Sequence, residues 1–280
     1  MRPVVPFVAI PYPLDLAATV FLGLVFGSFA TALASRAVRG ISVISDKGQG
    51  AGREAARPAR SACPACGHVL AARDLVPLFS WLLLRGKCRY CGARIGWAYP
   101  ATELASLAAC LGIYAGWGFT LPGFALMCAV PFLLALLAAD LRTFLLPDRL
   151  TLGAGAAGLA YVIASGFAQG GAAALPALLA ARIGAAAAYA AALFLCGLAV
   201  SKLRRREALG LGDVKFFAVA GLCLGLPDFP FYLIISGVCG VFLGFLWRFS
   251  GRGPVFPFGP AIILALYLCL LLQRFAIFPY

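Results

Sequence analysis

Long uncharged apolar runs, interrupted by short clusters of arginine, lysine and aspartate, dominate the chain. They cover residues 16–35, 104–121, 122–139, 150–165, 183–201, 229–247 and 253–273. A bilayer is spanned by roughly 20 mostly apolar residues, so each run predicts a membrane helix. A further run, 216–227, is short. It reaches spanning length only by starting near Ala208, which places Gly210, Gly212 and Asp213 at the membrane edge. An ionisable group at that depth is costly and is by default a functional candidate. The long stretch 150–181 is broken by SGFAQGG at 165–171 and by Pro176, residues that punctuate helices as they do loops. Its many Ala and Gly residues fit close helix packing in lipid.

Composition agrees: 63% of residues are hydrophobic and 12% charged, and the mean hydropathy is +0.96. The net charge of +13 does not point to nucleic acid, because its distribution follows the spans. Eleven Lys or Arg lie between Arg36 and Arg94 against Asp46, Glu54 and Asp74. Others sit at Arg142 and Arg149, at Lys202, Arg204, Arg205, Arg206 and Lys215, and at Arg248 and Arg252, with Arg2, Arg182 and Arg274 elsewhere. Basic loops after every second span follow the positive-inside rule. That places these loops in the cytoplasm and both termini outside it. ATALASR at 30–36 has the small-x-small form of a signal-peptide site, but its basic residues follow the apolar run. A signal peptide carries them in front, so a retained anchor is expected.

The polar segment 36–98 is the one part fit to form a separate domain. Its first half, ISVISDKGQGAGREAARPARS, has few large apolar residues and reads as a linker. Its second half holds LVPLFSWLLLRG at 75–86, which supplies apolar residues for a small core or for the membrane surface. CPAC at Cys63 and Cys66 and CRYC at Cys88 and Cys91 stand 21 residues apart. Two such knuckles offer four thiolates to a tetrahedral metal. Cytoplasmic thiols stay reduced, so zinc, or iron in the same four-sulfur site, is favoured over disulfides. Four cysteines complete the set and leave His68 as a loop residue. A closed site of this kind is structural and folds a domain too small to hold itself together. Cys110, Cys128, Cys196, Cys223, Cys239 and Cys269 lie in apolar runs and act as small hydrophobes. The expected fold is an all-α polytopic membrane protein of about eight transmembrane helices, with a small cytoplasmic four-cysteine zinc-binding domain between the first and second. The divisions are 1–36, 37–98 and 99–280.

Acids near the cytoplasmic helix ends are Glu103, Asp140, Asp148, Glu207 and Asp213. Asp140 ends a span and Asp213 begins one, so alternating spans bring both to one level. Two facing carboxyl groups in a poorly solvated place keep one proton between them, the state in which an aspartic protease activates water. Gly210 and Gly212 allow a backbone or substrate strand to approach closely. Asp148, after a proline, suits an N-cap, and Glu103 suits the dipole of a first helical turn. Asp140 sits at a helix C-terminus, where the dipole disfavours an anion. Lys215 is either a snorkelling anchor or a group tuning Asp213. Paired intramembrane acids also serve ion- or proton-coupled transporters, the alternative reading, although no inverted repeat is visible. A redox carrier with iron at the four cysteines is a further rival.

GLVFGSFATALASR, the cysteine segment through YPATEL, DLRTFLLPDRLT, EALGLGDVKFFAVAGLCLG and PFGP at 257–260 occur in that order. With them the chain resembles the type IV prepilin peptidases, bacterial inner-membrane aspartic peptidases that also serve type II secretion. The resemblance implies cleavage, after a glycine at the cytoplasmic face, of the basic leader of prepilins and pseudopilins. It implies Asp140 and Asp213 as the catalytic pair and leaves Asp148 structural; Gly210, Gly212 and Lys215 are expected to support the site, with no metal there. It also implies N-methylation of the new N-terminal residue by S-adenosylmethionine, although no glycine-rich methyl-donor motif is visible. The chain departs from the family pattern at Ala30 and Thr31, where an Asn commonly follows GSF. Presenilin-like proteases share only the G-x-G-D motif.

Overall fold

The computed structural model describes residues 12–38, 61–204, 210–251, 253 and 255–275. The linker half, Glu207 and both termini lie outside them. The helices are α1 (Tyr12–Val38), α2 (Phe79–Leu83), α3 (Ala98–Trp117), α4 (Leu121–Thr143), α5 (Asp148–Arg204), α6 (Leu211–Leu224), α7 (Phe229–Phe249) and α8 (Gly259–Arg274). Helix is the form in which a single segment satisfies its own backbone in lipid. Four of the helical stretches are long and apolar enough to cross a membrane, Pro13–Val38, Leu121–Thr143, Asp148–Leu203 and Leu226–Phe249.

α5 runs for 57 residues, about 85 Å at 1.5 Å per residue, far beyond a hydrocarbon core of about 30 Å. It is two helices meeting at Gly171, whose φ of 67° and ψ of −164° are non-helical. The second half folds back, so that Gly166 lies against Leu175 and Leu178. The expected seven-residue break is therefore one glycine: 165–170 remain helical, and Pro176 sits inside the second half. Glycine takes positive φ without the Cβ clash that other residues meet, and the turn needs nothing more.

α1 crosses α3 at close range. A Cβ on Gly23 would lie 2.9 Å from the Leu107 backbone, and one on Gly27 would lie 2.5 Å from that of Glu103. Gly23-x-x-x-Gly27 is the small-residue stripe that lets membrane helices touch. Ala30, at the departure from the family pattern, is buried, and Thr31 donates its hydroxyl to the Ser28 carbonyl at 2.7 Å. Thus neither position carries an unsatisfied polar group.

The core holds an aromatic cluster of Tyr189, Tyr232, Phe217 and Phe229. The Tyr189 hydroxyl donates to the Gly225 carbonyl at 2.9 Å, and that of Tyr232 to the Ile262 carbonyl at 3.2 Å. Buried tyrosines need such acceptors. Two of the cations that fell outside the basic loops sit at the same end of the bundle as Gly225. Arg182 donates to the Cys223 carbonyl near the end of α6, at 2.7 Å. Arg274 donates to the Gly116 carbonyl near the end of α3, at 2.6 Å, and lies over Trp117. Their charges answer the negative ends of helix dipoles.

Candidate active site and metal centre

The opposite end of the bundle gathers the ends of α4 and α7 and the starts of α5, α6 and α8. α4 stops at Phe144, whose φ of 57° is left-handed and whose N–H donates to the Asp140 carbonyl at 2.9 Å. The ring of Phe144 meets Trp247 of α7 edge-on at 6.3 Å. Residues 144–147 then lead directly into α5.

Asp140, in the last turn of α4, is 4% exposed. Its Oδ2 accepts the N–H of Gly259, the first residue of α8, at 2.9 Å. A Cβ at 259 would stand 2.5 Å from that oxygen, so glycine is needed for the bond to form. Asp213 occupies the first turn of α6 behind Gly210, which takes extended backbone at the N-cap. Asp213 is close enough to Asp140 for their charges to act on each other. The two acids expected to face each other thus lie at the same end of the bundle, Asp213 opening α6 and Asp140 ending α4.

The supporting residues divide. Gly212 lies against Leu146, where a Cβ would meet the Leu146 side chain at 3.1 Å, and Leu146 also reaches to 3.1 Å of the Cβ position of Gly259. Leu146 is therefore the wedge around which α6 and α8 close on Asp140. Among the described residues, the atom nearest the Cβ position of Gly210 is Asp213 Oδ2, at 3.6 Å. Lys215 does not turn to Asp213. It forms an exposed ion pair with Asp148 at 2.7 Å, joining α6 to the start of α5. Asp148 is the first residue of α5, and its bonded oxygen goes to that lysine rather than to a capping N–H.

Glu103 is corrected too. α3 begins at Ala98, so Glu103 falls past the first turn. It is buried, and its Oε2 accepts the Leu78 N–H at 2.8 Å, with Ser28 of α1 also bonded to the carboxyl group. Leu78 has φ 59°, an unusual value for a leucine, and immediately precedes α2. The acid therefore ties the cysteine segment to the bundle.

Sequence reasoning missed Gly259 and Leu146 as parts of this site. The PFGP and LLPD strings were visible, but Gly259 reaches Asp140 across 119 residues, and Leu146 acts through distant Gly212 and Gly259. A glycine before a proline carries no sign of what its N–H will meet.

The four thiols of Cys63, Cys66, Cys88 and Cys91 lie within 4.8 Å of one another, with Cys63 and Cys91 Sγ atoms 3.9 Å apart. A tetrahedral site with metal–sulfur bonds of about 2.3 Å has its sulfurs about 3.8 Å apart, so the cluster fits. Each knuckle is built alike. The N–H of Cys63 donates to the His68 carbonyl and Gly67 N–H to the Cys63 carbonyl, while Cys88 and Gly92 repeat this with Ala93 and Cys88. Isolated bridges Ala62 to Val69 and Lys87 to Arg94 close both. Backbone N–H groups of Cys66 and Ala65 bring the Cys63 thiol down to about 7. At Cys91 the Ala93 N–H favours the thiolate, but burial and the crowding of Cys66, Cys88 and Cys63 push it up to about 11. Four thiolates need a shared cation, and a four-sulfur set suits zinc or iron. His68 stays outside the cluster and stacks on Tyr90 at 3.7 Å.

Comparison with known proteins identifies the family. Residues 21–117 match the Bacterial Peptidase A24 N-terminal domain and residues 127–245 the Type IV leader peptidase family. A prepilin leader peptidase/N-methyltransferase of Burkholderia pseudomallei strain K96243 is 38% identical over 92% of this chain and 85% of its own length. Proteins with the same description are 38% identical in Aeromonas hydrophila, over 76% of this chain and 71% of theirs, and 39% identical in Dickeya chrysanthemi, over 71% and 69%. No solved structure matches the chain. On these matches, which take in both the cysteine segment and the helices bearing the two aspartates, the chain belongs to the type IV leader peptidase family.

Proposed function

We propose that this protein is a membrane aspartic endopeptidase that removes the leader of prepilins and pseudopilins after a glycine and then N-methylates the new terminus. Its relatives are named for both activities. The observation that supports the peptidase chemistry is the seating of Asp140 beside Asp213 at one end of the bundle, with Oδ2 of Asp140 held by the Gly259 N–H.

In this reading the pair shares one proton. The carboxylate takes a proton from water as its oxygen attacks the scissile carbonyl, and the neutral acid gives its proton to the carbonyl oxygen. Collapse of the tetrahedral intermediate breaks the C–N bond, and a proton returned by the pair leaves with the amine. The Gly259 bond keeps Asp140 in one rotamer throughout, while its Oδ1 has no protein partner among the described residues. Methyl transfer uses S-adenosylmethionine and needs the new amine in its neutral form. The four cysteines hold zinc as a structural centre and take no part in either reaction.

The protein is assigned to the bacterial inner membrane, with basic loops, zinc lobe and aspartates on the cytoplasmic side and both termini periplasmic. Three units follow: an anchor (1–36), a zinc lobe (37–98) and the peptidase bundle (99–280). Neither the family nor the relatives support the transporter alternative.

The test is leader removal by the purified protein in detergent, read by mass spectrometry with and without S-adenosylmethionine. Asp140→Asn and Asp213→Asn should each abolish cleavage while the protein still inserts. A variant that cleaves normally would remove its residue from the pair.

A further inference from the structure

The zinc lobe carries an apolar face that the bundle does not cover. In α2, Trp81 points inward: its indole N–H donates to the Ile95 carbonyl at 3.2 Å, and its ring packs on Gly86 and on Trp97 at 4.4 Å. At about 100° per residue, Phe79, Leu82 and Leu83 share the opposite face. They are 61%, 63% and 80% exposed. Val76, just before the helix, and Trp97, 74% exposed, are also bare.

Two further observations say what covers this face. The first is position. Glu103 holds the Leu78 N–H at the start of α2, and its neighbour Leu104 turns an exposed apolar side chain outward from α3. The face is thereby continuous with an exposed apolar position on α3, which packs on the membrane-length helices α1 and α4. The second is charge. Residues 61–98 carry five cations against one acid, Asp74, and Asp74 is taken up by Arg89 and Tyr90. Arg73, Arg85, Lys87 and Arg94 have no ion partner among the described residues.

We propose that α2 and its neighbours dip into the headgroup boundary of the leaflet on the side of Asp140 and Asp213. Phe79, Leu82 and Leu83 enter the acyl layer and the four cations meet anionic headgroups. A short apolar helix flanked by basic residues binds a lipid surface in this way, and tryptophan favours that depth. The lobe would then be fixed at three points, by its chain connection, by Glu103 and by lipid. This inference rests on the membrane reading of the chain and not on the aspartate pair.

The experiment places p-benzoylphenylalanine at Leu83 of the full-length protein. The protein is reconstituted in vesicles of phosphatidylethanolamine and phosphatidylglycerol, irradiated, and analysed by mass spectrometry. Phospholipid adducts are expected, with a severalfold lower yield in phosphatidylcholine alone. Adducts only to polypeptide would replace the lipid by a protein partner, and no adduct would mean a face left in water; either overturns the proposal. Equal yields in both lipids would remove the anionic preference. In the same vesicles Leu83→Glu should speed amide hydrogen exchange across residues 76–84, and unchanged exchange would also count against it. Leader cleavage that survives loss of the adducts would leave the peptidase reading standing alone.

Discussion

Asp140 depends on a residue that has no side chain. The Gly259 N–H fixes one carboxylate oxygen, and a methyl group at 259 would stand only 2.5 Å from that oxygen. Gly259→Ala should therefore displace the carboxyl group and slow leader cleavage on the order of 100-fold, the cost of about an ångström of misplacement at a reacting group. Near wild-type rates in that variant would show the bond to be incidental. Lys215 stands at the other extreme. Its ion pair with Asp148 is exposed on both sides and is worth less than about 1 kcal/mol, so Lys215→Ala should leave cleavage almost unchanged. A large loss would restore the expectation that this lysine tunes Asp213. The two aspartates stood out in the sequence because charge at membrane depth is rare. Their setting did not, because the residues that build it are Gly and Leu, ordinary in any span.

Helix lengths shape the site in a way that hydropathy shows only in part. α6 has 14 residues and α8 has 16, about 21 and 24 Å at 1.5 Å per residue, short of a hydrocarbon core of about 30 Å. Both begin at the aspartate end, with Asp213 in the first turn of one and Gly259 opening the other. The shortness of the run 216–227 was visible in the sequence; the late start of α8, six residues inside its apolar run, was not. α1 and α3 show the same limit. Gly23 and Gly27 could be read as a packing stripe, yet only the structure shows that Gly27 lies on Glu103, the acid that tethers the zinc lobe. Gly27→Val should force α1 from α3, loosen the Leu78 bond and raise protease sensitivity in the lobe. Unaltered sensitivity with intact insertion would show that the crossing has slack.

Among the described residues the four-thiol cluster belongs to a lobe that Glu103 ties to the bundle through Leu78 and Ser28. The four-thiol cluster lies in a lobe whose described residues contain only short helical turns and two isolated bridges, so little that a cation bound there would supply much of its folding. Cys63→Ser, or chelation of the wild type, should release metal and unfold the lobe, with faster proteolysis between residues 61 and 98. The bundle should remain inserted, because α4 to α8 pack without the lobe. Metal content unchanged in Cys63→Ser would count against the four-thiol site.

By itself the sequence determined what depends on local chemistry and on the solvent. Apolar runs can satisfy their backbone in lipid only as helices, and paired C-x-x-C knuckles gather four thiols that could hold a metal through their spacing. The tertiary structure alone decided which groups meet across that frame: Gly259 on Asp140, Leu146 between α6 and α8, Lys215 on Asp148 and Leu78 on Glu103. Those contacts join segments 25 to 119 residues apart, and they follow from helices that pack on small side chains, whose partners no local pattern names.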